Sequence, residues 1–580
     1  MRFRKNLFLM VGIYFFLFSG FEKAPAGKDT KPPATMDAWM NETANLTITE
    51  AFREGDTVFV CLESVLRESD RVRYLYAKTS AAHKESPNEL FLTLTTEKDY
   101  LENKKHPGIK ILTKKEKKAI SRKFEIVNPN ASQYQSSALQ NGIKTVNQMV
   151  LNSHVFGLVT RPVSSSFRLV TWMGSTAEDV LLQDISHYFE NEKIPPLYQG
   201  KGMDLPKFEE RLNQLFGDNR ANGTLKLYIG GEAYFDRQIA AFKEAKKSID
   251  VRIFIFDNDD FGVHLADILK KRSQDIPVRV LLDGVGMLMG EGKVSDTLPP
   301  GFVPPSSMVG YLQNGSNVHV RVRPNAWFKA DHTKTVFIDD KICFTGGMNF
   351  GREYRYDWHD LMMELRGPIV QKLYREFEIA WAHAGKLGDL AYLRSLIMVK
   401  ERKSDFKGGF PIRPLYTTAR EQQIYKAQIE AIQHAKRYIY ISNAYFSDNA
   451  IVYELIRARR RGVDVRVILP VHGNHDIMNK SNIVTADVMY KNGIRVYFYP
   501  GMSHVKAAIY DGWLCTGSAN FDKLSFRDNL ELNIATSDPA TVQEFKEKLF
   551  EADFKKSTEM TKPIATDLED HLANFLAGQL

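Results

Sequence analysis

The feature that most constrains this chain is an internal repeat. Two stretches between residues 225 and 555 run through the same order of strand, helix, strand, strand and motif. In the first, SIDVRIFIFDND reads as a buried strand, GVHLADILKKRSQ as a helix and PVRVLLDG as the next strand, and NVHVRVRP then leads into DHTKTVFIDDKICFTGGMNFG. In the second, KRYIYISNAYFSD, IVYELIRARRRG, VDVRVILP and IRVYFYPG repeat that order and lead into SHVKAAIYDGWLCTGSANFD. Strands alternating with helices of about three turns predict right-handed βαβ units and a mostly parallel sheet in each block. The blocks span 225–402 and 410–555, parting within KSDFKGGFPIRP, and a tail covers 556–580. Residues 28–200 lack the repeat. Their short apolar runs, broken by Lys-rich and Asn/Ser/Gln-rich stretches, predict a separate α+β domain to which the sequence assigns no role. The expected fold is therefore α/β, with two repeated α-β-α layered halves forming one active site behind an α+β N-terminal domain.

Each block carries its chemistry in the same pattern. The first motif holds His332, Lys334 and Asp339, followed by Gly346, Gly347 and Asn349; the second holds His504, Lys506 and Asp511, followed by Gly517, Ser518 and Asn520. Residues i and i+2 of a strand share a face, so each His projects beside its Lys while the residue between them turns away. An imidazole next to a fixed cation suits an anion. Two rings of ordinary pKa near ~6.5 can cleave a phosphodiester without metal, one attacking phosphorus and the other protonating the leaving alcohol. Lys334, Lys506, Asn349, Ser518 and Asn520 would then hold the non-bridging oxygens. No ligand spacing for a metal lies near either motif, and no cofactor is expected.

These residues resemble the paired HKD motifs of the phospholipase D superfamily, over about residues 225 to 555. Within it the chain is most similar to bacterial cardiolipin synthases: WHDLMMELRGP, RRRGVDVRVILP and NFDKLSFRDNLELN each have a counterpart there. The resemblance implies a covalent phosphohistidine, with His332 as nucleophile and His504 as general acid. It also implies that Asp360 and Glu531, 28 and 27 positions after the two histidines, orient the imidazoles, and that Asp339 and Asp511 support the structure. The second motif departs from the first: five residues, not six, separate its Asp from the following Gly, which leaves the position of Ser518 open. A phospholipid substrate is implied, with a nucleic-acid phosphodiester as the alternative and no obligate protein partner.

The ends and the charge distribution bear on location. Arg2, Arg4 and Lys5 precede an apolar run from Leu7 to Phe18 and an A-x-A arrangement at Ala24 and Ala26, so residues 1–26 read as an export signal or, uncleaved, as an anchor. Export or membrane association is expected. Lys104 to Lys123 contains nine Lys or Arg against Glu116 alone, which accounts for the whole formal net charge of +8. That run reads as a solvated face or as a patch for an anionic membrane or nucleic acid. Cys61, Cys343 and Cys515 are too few for a disulfide framework and are expected as buried thiols. His472 and His475 are assigned to a polar loop, GVGMLMG (284–290) to a strand-ending turn, and Trp327, Phe328 and Trp358 to a substrate entrance or to core. With 43% hydrophobic and 26% charged residues, the chain is neither disordered nor a multi-span membrane protein.

Overall fold

The computed structural model describes segments between residues 45 and 126, residue 189, and most of 192–574, leaving out 291–296, 299–301, 325–328, 419 and short pieces near the C-terminus. Residues 1–44, which contain the expected signal or anchor, and residues 114–123 of the basic run lie outside the described residues. Among the described residues no helix is long and apolar enough to cross a membrane.

The chain divides into two compact units. In the first, β1 (Asn45–Glu54), β2 (Thr57–Val65), β3 (Val72–Thr79), β4 (Leu90–Leu94), α1 (Glu97–Lys104), β5 (Lys110–Ile111) and β6 (Phe124–Ile126) form, among the described residues, one sheet in the order β5-β1-β2-β3-β4-β6 with one helix. Phe52, Phe59, Cys61 and Tyr100 make its small core, in which the Phe52 and Phe59 rings stack 4.9 Å apart. Lys104, the first residue of the basic run, pairs with Glu50.

The second unit holds both motifs. Its first block comprises α2 (Leu205–Phe216), β7 (Ala221–Ile229), α3 (Gly231–Glu244), β8 (Ile249–Ile253), α4 (Asp260–Arg272), β9 (Val278–Asp283), α5 (Gly284–Gly290), α6 (Met308–Gln313), β10 (Val318–Arg323), β11 (Thr335–Ile338), β12 (Ile342–Gly346), β13 (Leu361–Arg366), α7 (Pro368–His383) and α8 (Gly388–Met398). The second comprises β14 (Phe410–Thr417), α9 (Gln423–His434), β15 (Tyr438–Asn443), α10 (Asn449–Arg460), β16 (Asp464–Pro470), α11 (Asp476–Lys491), β17 (Arg495–Tyr499), β18 (Lys506–Tyr510), β19 (Trp513–Gly517), β20 (Glu531–Thr536), α12 (Pro539–Phe545), α13 (Ala552–Lys556) and β21 (Thr558–Glu559). GVGMLMG is thus the short helix α5, not a turn. The Asp283 carboxylate accepts from the amides of Val285 and Gly286 and so starts a helix where the strand ends.

Fifteen strands form one sheet in the order β10-β9-β8-β11-β12-β13-β7-β14-β20-β19-β18-β15-β16-β17-β21. Apart from β21 the order is palindromic about the antiparallel β7–β14 contact, where Ala221 faces Ile412. The expectation of a mostly parallel sheet is corrected here. Only β8, β9 and β10, and likewise β15, β16 and β17, run parallel; the other pairings are antiparallel. Helical crossovers permit parallel pairing, whereas each motif strand turns straight back through a hairpin and must pair antiparallel.

Matching sequence signals build matching elements. Asp259 caps α4 by accepting from Gly262 N, Asp448 caps α10 by accepting from Ile451 N, and both helices end in basic residues that suit the C-terminal dipole. Strands β8, β18 and β19 are buried along their whole lengths. Cys343 and Cys515 are thiols buried within the core, Cys61 is likewise buried, and none of the three forms a disulfide among the described residues.

Candidate active site

His332 and His504 stand just ahead of β11 and β18. Each is fixed by the opposite block. The backbone amide of His332 donates to Leu530 O at 2.9 Å, and that of His504 donates to His359 O at 2.7 Å. In return Leu530 N donates to Ala330 O at 2.9 Å, and His359 N to Met502 O at 3.0 Å. Two short bridges of the same design therefore lock each histidine segment onto the residue that precedes the other block's carboxylate. Around the first, Ala330 N donates to Asn529 Oδ1 at 2.9 Å and Lys329 pairs with Asp528 at 2.6 Å.

The side chains cross in the same way. Nδ1 of His332 lies 3.0 Å from both oxygens of Glu531, and Nδ1 of His504 lies 2.6 Å from Asp360 Oδ2. Asp360 and Glu531 each meet an imidazole, that of the histidine of the other block. Both carboxyls are buried. Asp360 Oδ1 also accepts from Leu361 N at 2.7 Å, and Glu531 accepts from the Ser518 hydroxyl.

Lys334 and Lys506 turn back onto their histidines, and their ammonium groups donate to the carbonyls of His332 and His504 at 2.8 and 2.7 Å. Thr345 and Thr516 accept no such role but donate to Lys334 O and Lys506 O, which ties each motif strand to its hairpin partner. This correspondence aligns Gly346 with Gly517 and Gly347 with Ser518. The missing residue is absorbed in the turn, since Asp339, Asp340 and Lys341 link Ile338 to Ile342 while Asp511 and Gly512 alone link Tyr510 to Trp513.

Asp339 and Asp511 occupy those turns at φ 55° and φ 49°, a left-handed conformation that Asp tolerates better than most residues. Asp339 accepts from the amides of Lys246, Lys247 and Ser248; Asp511 accepts from those of Lys436, Arg437, Tyr438 and Met203. Each ties its hairpin to the start of a neighbouring strand. Asn349 is committed to the protein as well, accepting from Ile255 N at 3.1 Å and donating to Tyr354 OH at 2.8 Å. Ser518 accepts from Leu532 N and donates to Glu531. Asn520 differs: it is buried, and its Oδ1 has no hydrogen-bond partner among the described residues.

Burial governs the electrostatics. It lowers both imidazoles well below their usual range, reinforced by Lys334 and Lys506. Burial likewise pushes Asp360 up to about 7 and Glu531 up to about 8, and brings Lys334 down to about 7 and Lys506 to about 8. Four groups are thereby poised near neutral pH.

Sequence reasoning missed several neighbours. Phe254 packs edge-on against His332 with ring centroids 4.9 Å apart, and Lys334 lies over that same ring. Tyr354 and Trp358 flank His504 at 5.7 and 5.2 Å, which places Trp358 against the His504 ring; Trp327 and Phe328 lie outside the described residues. His359 stacks on Tyr499 at 4.5 Å and its Nε2 meets Asp553 Oδ2 at 2.8 Å. Only its place between Trp358 and Asp360 could have drawn attention to it. His472 and His475 lie in the loop ahead of α11, and among the described residues no group of three His, Cys, Asp or Glu is placed to hold a metal.

Residues 238–381 and 428–553 match the family described as cardiolipin synthase, PLD-like domain. Cardiolipin synthase A of Pseudomonas putida F1 is 30% identical over 368 residues, covering 60% of this chain and 72% of the relative. The chain belongs to this phospholipase D family. Cardiolipin synthase A of Pseudomonas aeruginosa LESB58 is 32% identical over 352 residues, covering 59% of this chain and 69% of that protein. Among solved structures, phosphatidylserine synthase of Haemophilus influenzae superposes on the phospholipase D fold of this chain with a TM-score of 0.50, at 12% identity, over 64% of this chain and all of the other.

Proposed function

We propose that the chain is a phosphatidyltransferase or phospholipase D acting on phospholipids through one active site shared by two repeated halves. The observation that carries this reading is the crossed pairing of His332 with Glu531 and of His504 with Asp360. A carboxylate on Nδ1 fixes the tautomer and turns Nε2 to the substrate. Neutral His332 attacks phosphorus through Nε2, forming a phosphorus–nitrogen bond as the bond to the leaving alcohol breaks. His504 supplies that alcohol's proton. An acceptor, water or a second alcohol, then gives its proton to His504 and attacks phosphorus, releasing His332 and closing the cycle.

The site binds one negative charge well. A phosphodiester between Lys334 and Lys506 supplies the counter-charge that burial denies them and holds both ammonium groups protonated. It also favours moving a proton from Asp360 to His504, which arms the acid. Asn520 has a buried Oδ1 with no hydrogen-bond partner among the described residues, whereas both ends of the Asn349 carboxamide are bonded within the protein. The relatives are named for lipid synthesis, which favours a phospholipid over a nucleic-acid substrate.

The test is to incubate the purified chain with phosphatidylglycerol, with and without an added alcohol, and to identify products while trapping phosphoenzyme in acid-free quench. Turnover with label on His332 is expected. Label on His504 alone would reverse the two roles, and turnover of DNA but not of lipid would overturn the substrate assignment.

A further inference from the structure

We infer that the exposed face of α8 docks the enzyme on an anionic bilayer; this rests on the phospholipid reading above and names the surface from which that substrate is taken. Leu387, Leu390, Leu393, Ile397 and Met398 are 65%, 66%, 42%, 78% and 65% exposed. No other stretch of that length among the described residues exposes so many large apolar side chains. At 100° per residue they fall on one arc of about 140°, with Arg394 inside it. An apolar stripe of this kind on a water-soluble surface marks a binding face.

Charge identifies the occupant. From Lys386 to Lys403 the chain has five Lys or Arg against two acids, and Lys386, Arg394, Lys400 and Lys403 are exposed. Apolar side chains that enter the acyl boundary, ringed by cations that meet anionic head groups, are the pattern of an interfacial helix. A protein partner of matching shape would not need the basic ring.

The helix is held rigidly with this face outward. His383 Nε2 meets Asp389 at 3.0 Å at its start, and Arg375 donates to Leu396 O at 3.3 Å and Val399 O at 3.1 Å at its end. Its inner side contributes Tyr392 to a cavity of about 120 Å³ that also touches Arg420 and Glu531. A bilayer on the outer face therefore stands beside the block that carries the catalytic carboxylate.

The test uses the full chain carrying Ile397→Cys labelled with an environment-sensitive fluorophore, since the three native thiols are buried. Vesicles of phosphatidylglycerol and phosphatidylcholine should shift its emission to the blue, and acyl-brominated lipid should quench it; pure phosphatidylcholine should do so at least about tenfold more weakly. Leu390→Asp with Ile397→Asp should lower turnover of vesicle substrate at least about tenfold and leave a monomeric short-chain phosphatidylglycerol unaffected. An unquenched probe, or equal vesicle turnover by variant and parent, overturns the inference. So does a halved solution mass in the double variant, which assigns the face to a second copy. Failure of the functional reading is distinct: the parent would turn over neither substrate while the probe still reported on the bilayer.

Discussion

His332 Nδ1 lies 3.0 Å from the carboxyl group of Glu531, 199 residues further along the chain and in the other block. Glu531→Gln should therefore impair the histidine of the first motif. We expect kcat to fall about 10²-fold or more with little change in KM, because an orienting partner acts on the transition state. His332→Ala should cost at least about 10³-fold and leave no phosphoenzyme. Phosphoenzyme that forms at the parent rate in Glu531→Gln would separate the carboxylate from the attack.

Asp360 makes a pH-dependent prediction whose sign is fixed. Its folded value of about 7 lies above the ~3.9 of an unfolded Asp, so the native state binds more protons in between, and its contribution to stability is lost as pH rises through that window. Asp360→Asn carries no such charge. Its Tm should gain on the parent between pH 5 and pH 8 by about 2 °C or more, while kcat falls at both values. A Tm difference that does not change with pH would show that Asp360 is not held protonated by burial.

His359 braces His504. Its carbonyl receives the His504 amide, its ring stacks on Tyr499, and its Nε2 is held by Asp553 of α13. Asp553→Asn should lower kcat about tenfold, leave KM unchanged and shift the alkaline limb of the pH profile set by the His504–Asp360 pair. A loss of Tm with an unmoved limb would reduce the contact to ordinary packing.

Chelation should leave turnover intact. The charges near the phosphate position are two ammonium groups, and both carboxyls are committed to imidazoles. Activity abolished by EDTA and restored by one specific divalent cation would contradict the histidine mechanism.

Much of this was legible in the sequence because it is local. Strand and helix order follows from periodicity, and the His–Lys pairs are read directly from the motifs that lead into β11 and β18. What was not legible is long-range. The resemblance points to Asp360 and Glu531 but is silent on which ring each meets, since that depends on how the blocks pack. The parallel content was overestimated because helical crossovers show in the pattern, whereas the hairpin strands β11–β12 and β18–β19 read only as parts of a motif. Ser518 and Asn349 looked like phosphate ligands by residue type, yet the backbone amides of Leu532 and Ile255 reach them first.

The position shared by Gly347 and Ser518 gives the sharpest local test, because the two halves solve one problem differently. A Cβ at residue 347 would lie 2.3 Å from Asp360 Oδ1, a contact that only movement of the carboxylate or of the hairpin could relieve. The longer Glu531 leaves room in the second half for Ser518, whose hydroxyl fills that space and donates to the carboxylate. Gly347→Ala should therefore displace Asp360 from His504 and cost at least about 10²-fold in kcat, a large effect for one methyl group. Ser518→Gly removes a hydrogen bond and creates no clash, so a loss of about tenfold is expected. Pairing Gly347→Ala with the shorter-reaching demand of Asp360→Gly would test the cause directly: with the carboxylate gone, the alanine should add little further loss. An undiminished penalty in that background would place the steric conflict elsewhere in the hairpin.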